Sequence, residues 1–171
     1  MAPLAAHRAV IVDESDGTLD AFLAARQRGY SGVSSKACKG FYKSLVNLAR
    51  CRSWNEAEGG LRYFMSGEDL TTLAGLCVQQ DLALGALLGL EPVERNGHHF
   101  VDGFSGRPRA EADRFLAAHP GLYRATERGP RLAIADGMLD LASLDCAGFG
   151  SAVLPDTAAM EPMPKAAWPI S

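Results

Sequence analysis

Two short β-type runs, separated by one helix length, constrain the fold of this chain most. Residues 9–13 end in Asp13, residues 32–36 end in Lys36, and residues 19–29 between them have the apolar spacing of a helix. A strand, a helix and a strand in this order predict a β-α-β unit with parallel strands. Because parallel strands finish at the same edge of a sheet, we expect Asp13 and Lys36 to lie close together.

The alternation of strand and helix continues along the chain. Thr18 is predicted to cap the first helix through its hydroxyl group. A second helix opens at Gly40, and we expect its inward face to carry Phe41, Leu45, Leu48 and Ala49. A third strand over residues 61–65, an apolar helix over about residues 70–88 and a short fourth strand over residues 91–94 follow. These units predict an α/β fold, a parallel sheet or barrel of about four β-α units, over residues 1–103.

The pattern changes after residue 103. Residues 104–154 are predicted to hold a helix over residues 111–118 and a C-terminal β-hairpin. In that hairpin, residues 132–135 and 138–141 flank Asp136-Gly137, a dipeptide typical of two-residue turns because both positions need positive φ. Residues 155–171 contain several prolines and are predicted to form an extended tail.

Composition excludes some classes of function. The chain has 171 residues, a net charge of -3 and 47% apolar residues, which is typical of one globular domain without a general nucleic-acid surface. Its apolar runs are too short to span a membrane, and its first residues do not resemble a signal peptide. The four cysteines are dispersed, so we expect reduced and mostly buried thiols in a cytoplasmic protein.

Several segments together resemble the enolase superfamily, specifically the mandelate racemase and muconate-lactonising group. The sequence V-D-E-S at residues 12–15 precedes V-S-S-K-A-C-K-G at residues 33–40, and the pair is similar to the fifth and sixth barrel strands of that family. Residues 64–69 and 93–97 resemble the seventh and eighth strands, and residues 136–150 resemble the family's C-terminal tail. The resemblance implies the C-terminal half of a TIM-type (β/α) barrel, with residues 104–154 packing towards a capping region.

The same resemblance implies roles for five residues. Asp13 would be a ligand of a catalytic Mg²⁺, which prefers oxygen ligands. Lys36 would be the general acid/base at the carbon α to the carboxylate of a small hydroxy acid or sugar acid, and a neighbouring cation would keep its proton transferable near neutral pH. Glu68, Glu94 and Asn96 would contact the substrate.

Each of these residues also has an ordinary structural interpretation. Asp13 could be a strand-end carboxylate at the start of the following helix, and Lys36 could be a surface lysine. Lys39 and Lys43 are predicted to face solvent or form salt bridges. The adjacent His98 and His99 would point to opposite faces of a strand and could not chelate one ion together.

The chain also departs from the family pattern. A complete member has a capping region and eight β-α units, with paired lysines and further carboxylates on strands that have no counterpart here. We therefore expect little activity from this chain alone, and completion by self-association or by a missing N-terminal half. The alternative is a non-catalytic half-barrel that serves in assembly or small-molecule binding and associates through its open strand edges.

Overall fold

The chain has a mixed α/β fold built around a four-stranded parallel sheet. A computed structural model describes residues 2–68, 74–94 and 102–162. The strands lie side by side in sequence order, and each pairs in parallel with the next. They are β1 (Ile11–Val12), β2 (Gly32–Ser35), β3 (Phe64–Glu68) and β4 (Val93–Glu94).

Five α-helices are present among the described residues: α1 (Ala2–Ala5), α2 (Ala21–Gln27), α3 (Phe41–Glu58), α4 (Leu76–Leu88) and α5 (Arg109–Ala118). A 3₁₀ turn, Ala37–Lys39, joins β2 to α3. The predicted cap at Thr18 is wrong, because α2 begins at Ala21 with Asp20 in the cap position and no side-chain hydrogen bond there. The part of the apolar helix predicted before residue 74, including Leu70 and Leu73, lies outside the described residues.

The C-terminal segment forms a second, smaller sheet. Its antiparallel strands are β5 (Tyr123–Arg124) and β6 (Arg131–Leu132). The predicted Asp136-Gly137 turn is confirmed: both residues have positive φ, and Ala135 and Met138 exchange two backbone hydrogen bonds. The hairpin is nevertheless shorter than predicted, since this bridge is isolated and β6 pairs with β5 instead.

Two apolar cores share helix α4. The first core lies between the sheet and helices α2 to α4, and includes Leu84 and Leu88. The second lies between α4, α5 and the small sheet, and includes Val78 and Leu82. Other large members include Val12, Phe22, Val33, Tyr63 and Met65 in the first core, and Phe104, Phe115, Leu122, Tyr123, Leu132 and Leu144 in the second.

Helix α3 buries a largely polar face, and the prediction for its inward face is confirmed only for Leu48, which is half-buried against the first core. Phe41 and Leu45 are exposed, while the buried positions are Lys43, Ser44, Asn47 and Cys51. The reason is a buried ion pair, because Lys43 Nζ lies 2.8 Å from Oδ2 of Asp16. Ser44 similarly pairs its hydroxyl with that of Ser35, at 2.9 Å. An ion pair or a hydrogen bond of this kind lowers the cost of burying polar groups.

The cysteines are free but not mostly buried. Cys51 is buried in the first core and Cys146 is half-buried, whereas Cys38 and Cys77 are exposed. The prediction of reduced thiols agrees with this arrangement, and the prediction that most are buried is wrong. No described helix combines the length and the apolar character needed to cross a lipid bilayer.

Candidate acid–base site

Three ionisable side chains meet at the carboxyl ends of three adjacent strands. Lys36 Nζ lies 3.1 Å from Oδ2 of Asp13 and 3.1 Å from Oε2 of Glu68. The proximity of Asp13 and Lys36 is therefore as the parallel strands predict. Only 5% of the Lys36 side chain is exposed, so its interpretation as a surface lysine is wrong.

The alternation of side chains along each strand places this group on one face of the sheet. Val33 and Met65 are paired across β2 and β3 and point into the first core. The neighbouring pair, Ser34 and Ser66, points to the opposite face, the one that carries Lys36 and Glu68. Ser34 donates a hydrogen bond to Glu68 Oε2 at 3.3 Å. We call this side of the sheet the open face.

A second lysine holds Asp13 from the other side. Lys39 Nζ lies 2.7 Å from Oδ1 of Asp13, and it donates to the backbone carbonyls of Asp13 and Ser34 at 3.0 and 3.1 Å. Lys39 thus ties the end of β1 to β2. Lys39 and Lys43 are predicted either to face solvent or to form salt bridges, and both form salt bridges.

The short turn that carries both lysines is fixed by a residue that sequence reasoning missed. The amide of Ala37 donates to Oδ1 of Asp81 at 2.6 Å. Asp81 is the only charged residue of helix α4, and a lone carboxylate in an otherwise uncharged helix was the available signal. Nothing local in the sequence indicates its partner, which lies 44 residues earlier.

The surroundings of Asp13 and Glu68 shift the pKa values of these two carboxyl groups in opposite directions. Burial alone would raise the pKa of Asp13, but hydrogen bonds with Glu68, Lys39 and Lys36 outweigh it and hold that pKa well below its ordinary range. Burial, together with the bond to Asp13, raises the pKa of Glu68. Two carboxyl groups in one site cannot ionise equally easily, so Asp13 stays charged and Glu68 is the group that accepts a proton first.

Lys36 is held in its ammonium form. Burial would lower its pKa, but the hydrogen bonds to Asp13 and Glu68 outweigh burial and raise it. In this arrangement Lys36 holds its proton more tightly than an ordinary lysine does. To act as a base it would need a further positive charge nearby, which would favour loss of the proton.

The open face lines a cavity of about 460 Å³. Asp13, Ser34 and Glu68 line its polar part, and Ile11 and Val93 are among its apolar residues. Glu94, predicted to contact substrate, is exposed at the rim and pairs in register with Glu68. Glu68 itself forms an ion pair with Lys36. Asn96, and with it His98 and His99, lies outside the described residues.

The described residues do not by themselves fit a Mg²⁺ ion. No three of their histidine, cysteine or acidic side chains are grouped as metal ligands. Both carboxylate oxygens of Asp13 are already engaged, one by Lys36 and the other by Lys39. A lysine ammonium therefore occupies the position beside Asp13 where an ion would have to lie.

Comparisons with models of protein families, with curated proteins and with solved structures found no match for this chain.

Proposed function

We propose that this chain carries the acid–base part of an enolase-superfamily enzyme, of the racemase, epimerase, dehydratase or cycloisomerase type. Its four parallel strands would correspond to the fifth to eighth strands of a TIM-type barrel. The observation that carries the proposal is the position of Lys36, which is nearly buried between Asp13 and Glu68, two residues that line the open-face cavity. Such strand ends are where barrel enzymes place their chemistry.

The proposed reaction is removal of a proton α to a carboxylate. In a completed site, where a further positive charge favours the neutral amine of Lys36, the C–H bond breaks, its electron pair passes into an enediolate, and the proton passes to Nζ of Lys36. Return of that proton from the same ammonium group regenerates the starting stereoisomer, so racemisation or epimerisation needs a proton donor on the opposite face, which the completed site would have to supply. Ser34, which already donates to Glu68, and Lys39, which holds Asp13, keep the neighbouring carboxylates in place during the transfer.

The excess of negative charge at the site supports the proposal that this chain alone is not a complete enzyme. Four carboxyl groups, those of Asp13, Glu14, Glu68 and Glu94, lie on the open face or at its rim against the ammonium groups of Lys36 and Lys39. This excess of acids repels a carboxylate substrate. The Mg²⁺ that the resemblance implies would need ligands beyond Asp13, supplied by self-association or by another polypeptide segment. We therefore propose a small hydroxy acid or sugar acid as substrate of the completed site only.

Solvent isotope exchange tests the role of Lys36. The chain is incubated in D₂O with Mg²⁺ and a panel of hydroxy acids and sugar acids, and deuterium at the α-carbon is followed by NMR. We expect at most slow exchange, abolished in Lys36→Ala and retained in Arg52→Ala, a change at an exposed position of α3. Exchange that persists in Lys36→Ala would contradict the role of Lys36, and fast turnover by the chain alone would contradict its incompleteness.

A second candidate function is a non-catalytic half-barrel used in assembly or small-molecule binding. The full engagement of Asp13 by two lysines favours it, as do β1 and β4, each paired on one side only within the described sheet. Native mass spectrometry, with and without Mg²⁺, separates the candidates. A Mg²⁺-independent oligomer without isotope exchange would favour assembly, whereas a Mg²⁺-dependent species weakened by Asp13→Ala would favour the enzyme.

A further inference from the structure

We infer that Asp81 is a positioning residue, which holds the turn between β2 and α3 so that Lys36 and Lys39 both reach Asp13. The catalytic meaning of this inference rests on the proposed function. The geometry itself concerns only how two ammonium groups are brought to one carboxylate. Asp81 lies on α4, outside the open-face cavity, and acts through the backbone of Ala37.

The turn has few other means of holding its shape. It consists of one 3₁₀ turn, Ala37–Lys39, with backbone bonds from Lys39 to Lys36 and from Gly40 to Ala37, both at 3.0 Å. The residue at its N-cap position is Lys36, whose side chain makes no capping hydrogen bond. The acceptor for the first amide of the turn therefore comes from a different element, and Asp81 supplies it at 2.6 Å.

The placement of this one amide fixes both lysines. Ala37 directly follows Lys36 and lies two residues before Lys39, so a rotation about its backbone would move both ammonium groups. A bond from an amide to a carboxylate is stronger than one to a neutral acceptor. Helix α4 is itself anchored in both cores through Leu82 and Leu84, so the acceptor is presented from a rigid support.

Competitive labelling of the lysine amines tests this inference without any substrate. Trace acylation followed by mass spectrometry gives a relative rate for each lysine in the folded chain. In Asp81→Ala we expect Lys36 and Lys39 to react about tenfold faster, the loss expected for one charge-assisted hydrogen bond. Lys43 is the internal control, because its partner Asp16 is not part of the turn, and its rate should not change.

Two further variants separate positioning from general destabilisation. Asp81→Asn keeps an acceptor oxygen for Ala37, so its labelling pattern should return towards that of the wild type. Asp113→Ala removes a half-exposed carboxylate of α5 that pairs with Arg109, and it should leave all three rates unchanged. Unaltered rates at Lys36 and Lys39 in Asp81→Ala, or an equal rise at Lys43, would overturn the inference.

Hydrogen exchange of the wild-type chain decides the matter even where Asp81→Ala does not fold. The Ala37 amide should exchange slowly, and exchange at the rate of an unprotected amide would exclude a lasting bond to Asp81. Neither readout uses the proposed chemistry. Isotope exchange that persists in Lys36→Ala would reject the proposed function and leave Asp81 as a positioning residue, whereas unchanged labelling in Asp81→Ala would reject only the role of Asp81.

Discussion

Lys36 and Asp13 lie 23 residues apart in the sequence, and their side chains meet with 3.1 Å between Nζ and Oδ2. The contact joins the ends of two neighbouring parallel strands. It also places an ammonium group against the only carboxylate for which the family resemblance implies a metal. The ion pair is therefore both a structural link across the sheet and the centre of the proposed site.

Replacement of Asp13 by asparagine should destabilise the fold. The change leaves the ammonium groups of Lys36 and Lys39, which are 5% and 11% exposed, without their shared counter-charge. Removal of one partner of such a pair costs about 2–3 kcal/mol after allowance for partial exposure of Asp13. Urea unfolding measures this loss. Asp113→Asn, at a half-exposed ion pair, should cost no more than about 0.5 kcal/mol, and equal losses in the two variants would contradict the prediction.

The same carboxylate should contribute to acid denaturation. Because the folded-state pKa of Asp13 lies below its ordinary value of 3.8, its stabilisation is present above that pH and is lost as the pH falls further. The wild type should therefore lose stability more steeply below pH 3.8 than Asp13→Asn does. Glu111, whose pKa is lowered by its bond to Arg107, contributes to both proteins alike. Parallel curves for the two proteins would show that Asp13 is not held in its charged form.

His119 should make stability fall at mildly acidic pH. Burial lowers its pKa from the ordinary value of 6.5, against a smaller effect of its bond to the carbonyl of Ser143. Its Nδ1 donates to that carbonyl, and its Nε2 accepts from the amide of Ala152, so a second ring proton has no acceptor. A lowered folded-state pKa means that stability is full above pH 6.5 and is lost as the pH falls.

Chemical denaturation across this pH range provides the measurement for His119. The variant His119→Gln should be less stable than wild type at pH 8 and should show a flatter dependence on pH below 6.5. The variant His7→Gln, at an exposed position, should keep the wild-type dependence. If His7→Gln flattened the curve and His119→Gln did not, the assignment to His119 would be wrong.

Gly150 should tolerate a methyl group much less well than Gly137. Both residues have positive φ, of 78° and 74°. A Cβ atom on Gly150 would lie 2.8 Å from that of Ala83 and 3.0 Å from the carbonyl oxygen of Gln79, whereas one on Gly137 would meet nothing within 4 Å. We expect Gly150→Ala to cost about 2–4 kcal/mol and Gly137→Ala about 1–2 kcal/mol in thermal or urea unfolding. Similar costs would show that the loop at Gly150 can move away from α4.

Thiol labelling should divide the cysteines into fast and slow groups. Cys38 and Cys77 are exposed and should react quickly with a thiol reagent at pH 8. Cys51 should react only on unfolding, because burial both shields it and raises its pKa to about 11. Denatured protein, in which all four thiols are accessible, is the control. Rapid labelling of Cys51 in the folded chain would contradict the packing of the first core.

The sequence predicts the parallel sheet because strand–helix alternation is a local pattern. The same logic predicts the contact of Asp13 with Lys36, since both directly follow strands. The buried face of α3 could not be predicted in this way. An apolar spacing rule selects Phe41 and Leu45, but the burial of Lys43 depends on Asp16, which is distant in the sequence.

The contacts of the site residues could likewise be predicted only in part from local sequence patterns. Glu68 is recognisable as the end of a strand, yet its engagement with Lys36 depends on the register between β2 and β3. The role of Asp81 depends on how α4 packs beside the turn at Ala37. Register and helix packing are set by contacts between distant segments, and one sequence read locally does not contain them.

Helix α4 has a consequence for how the molecule melts. Its first turns supply Val78 and Leu82 to one apolar cluster, and its last turns supply Leu84 and Leu88 to the other. Within the described ranges, the parallel sheet and the small antiparallel sheet are separate, with no ladder joining them. If either cluster came apart, half of helix α4 would lose its packing contacts. Both regions should therefore unfold on heating in a single cooperative transition.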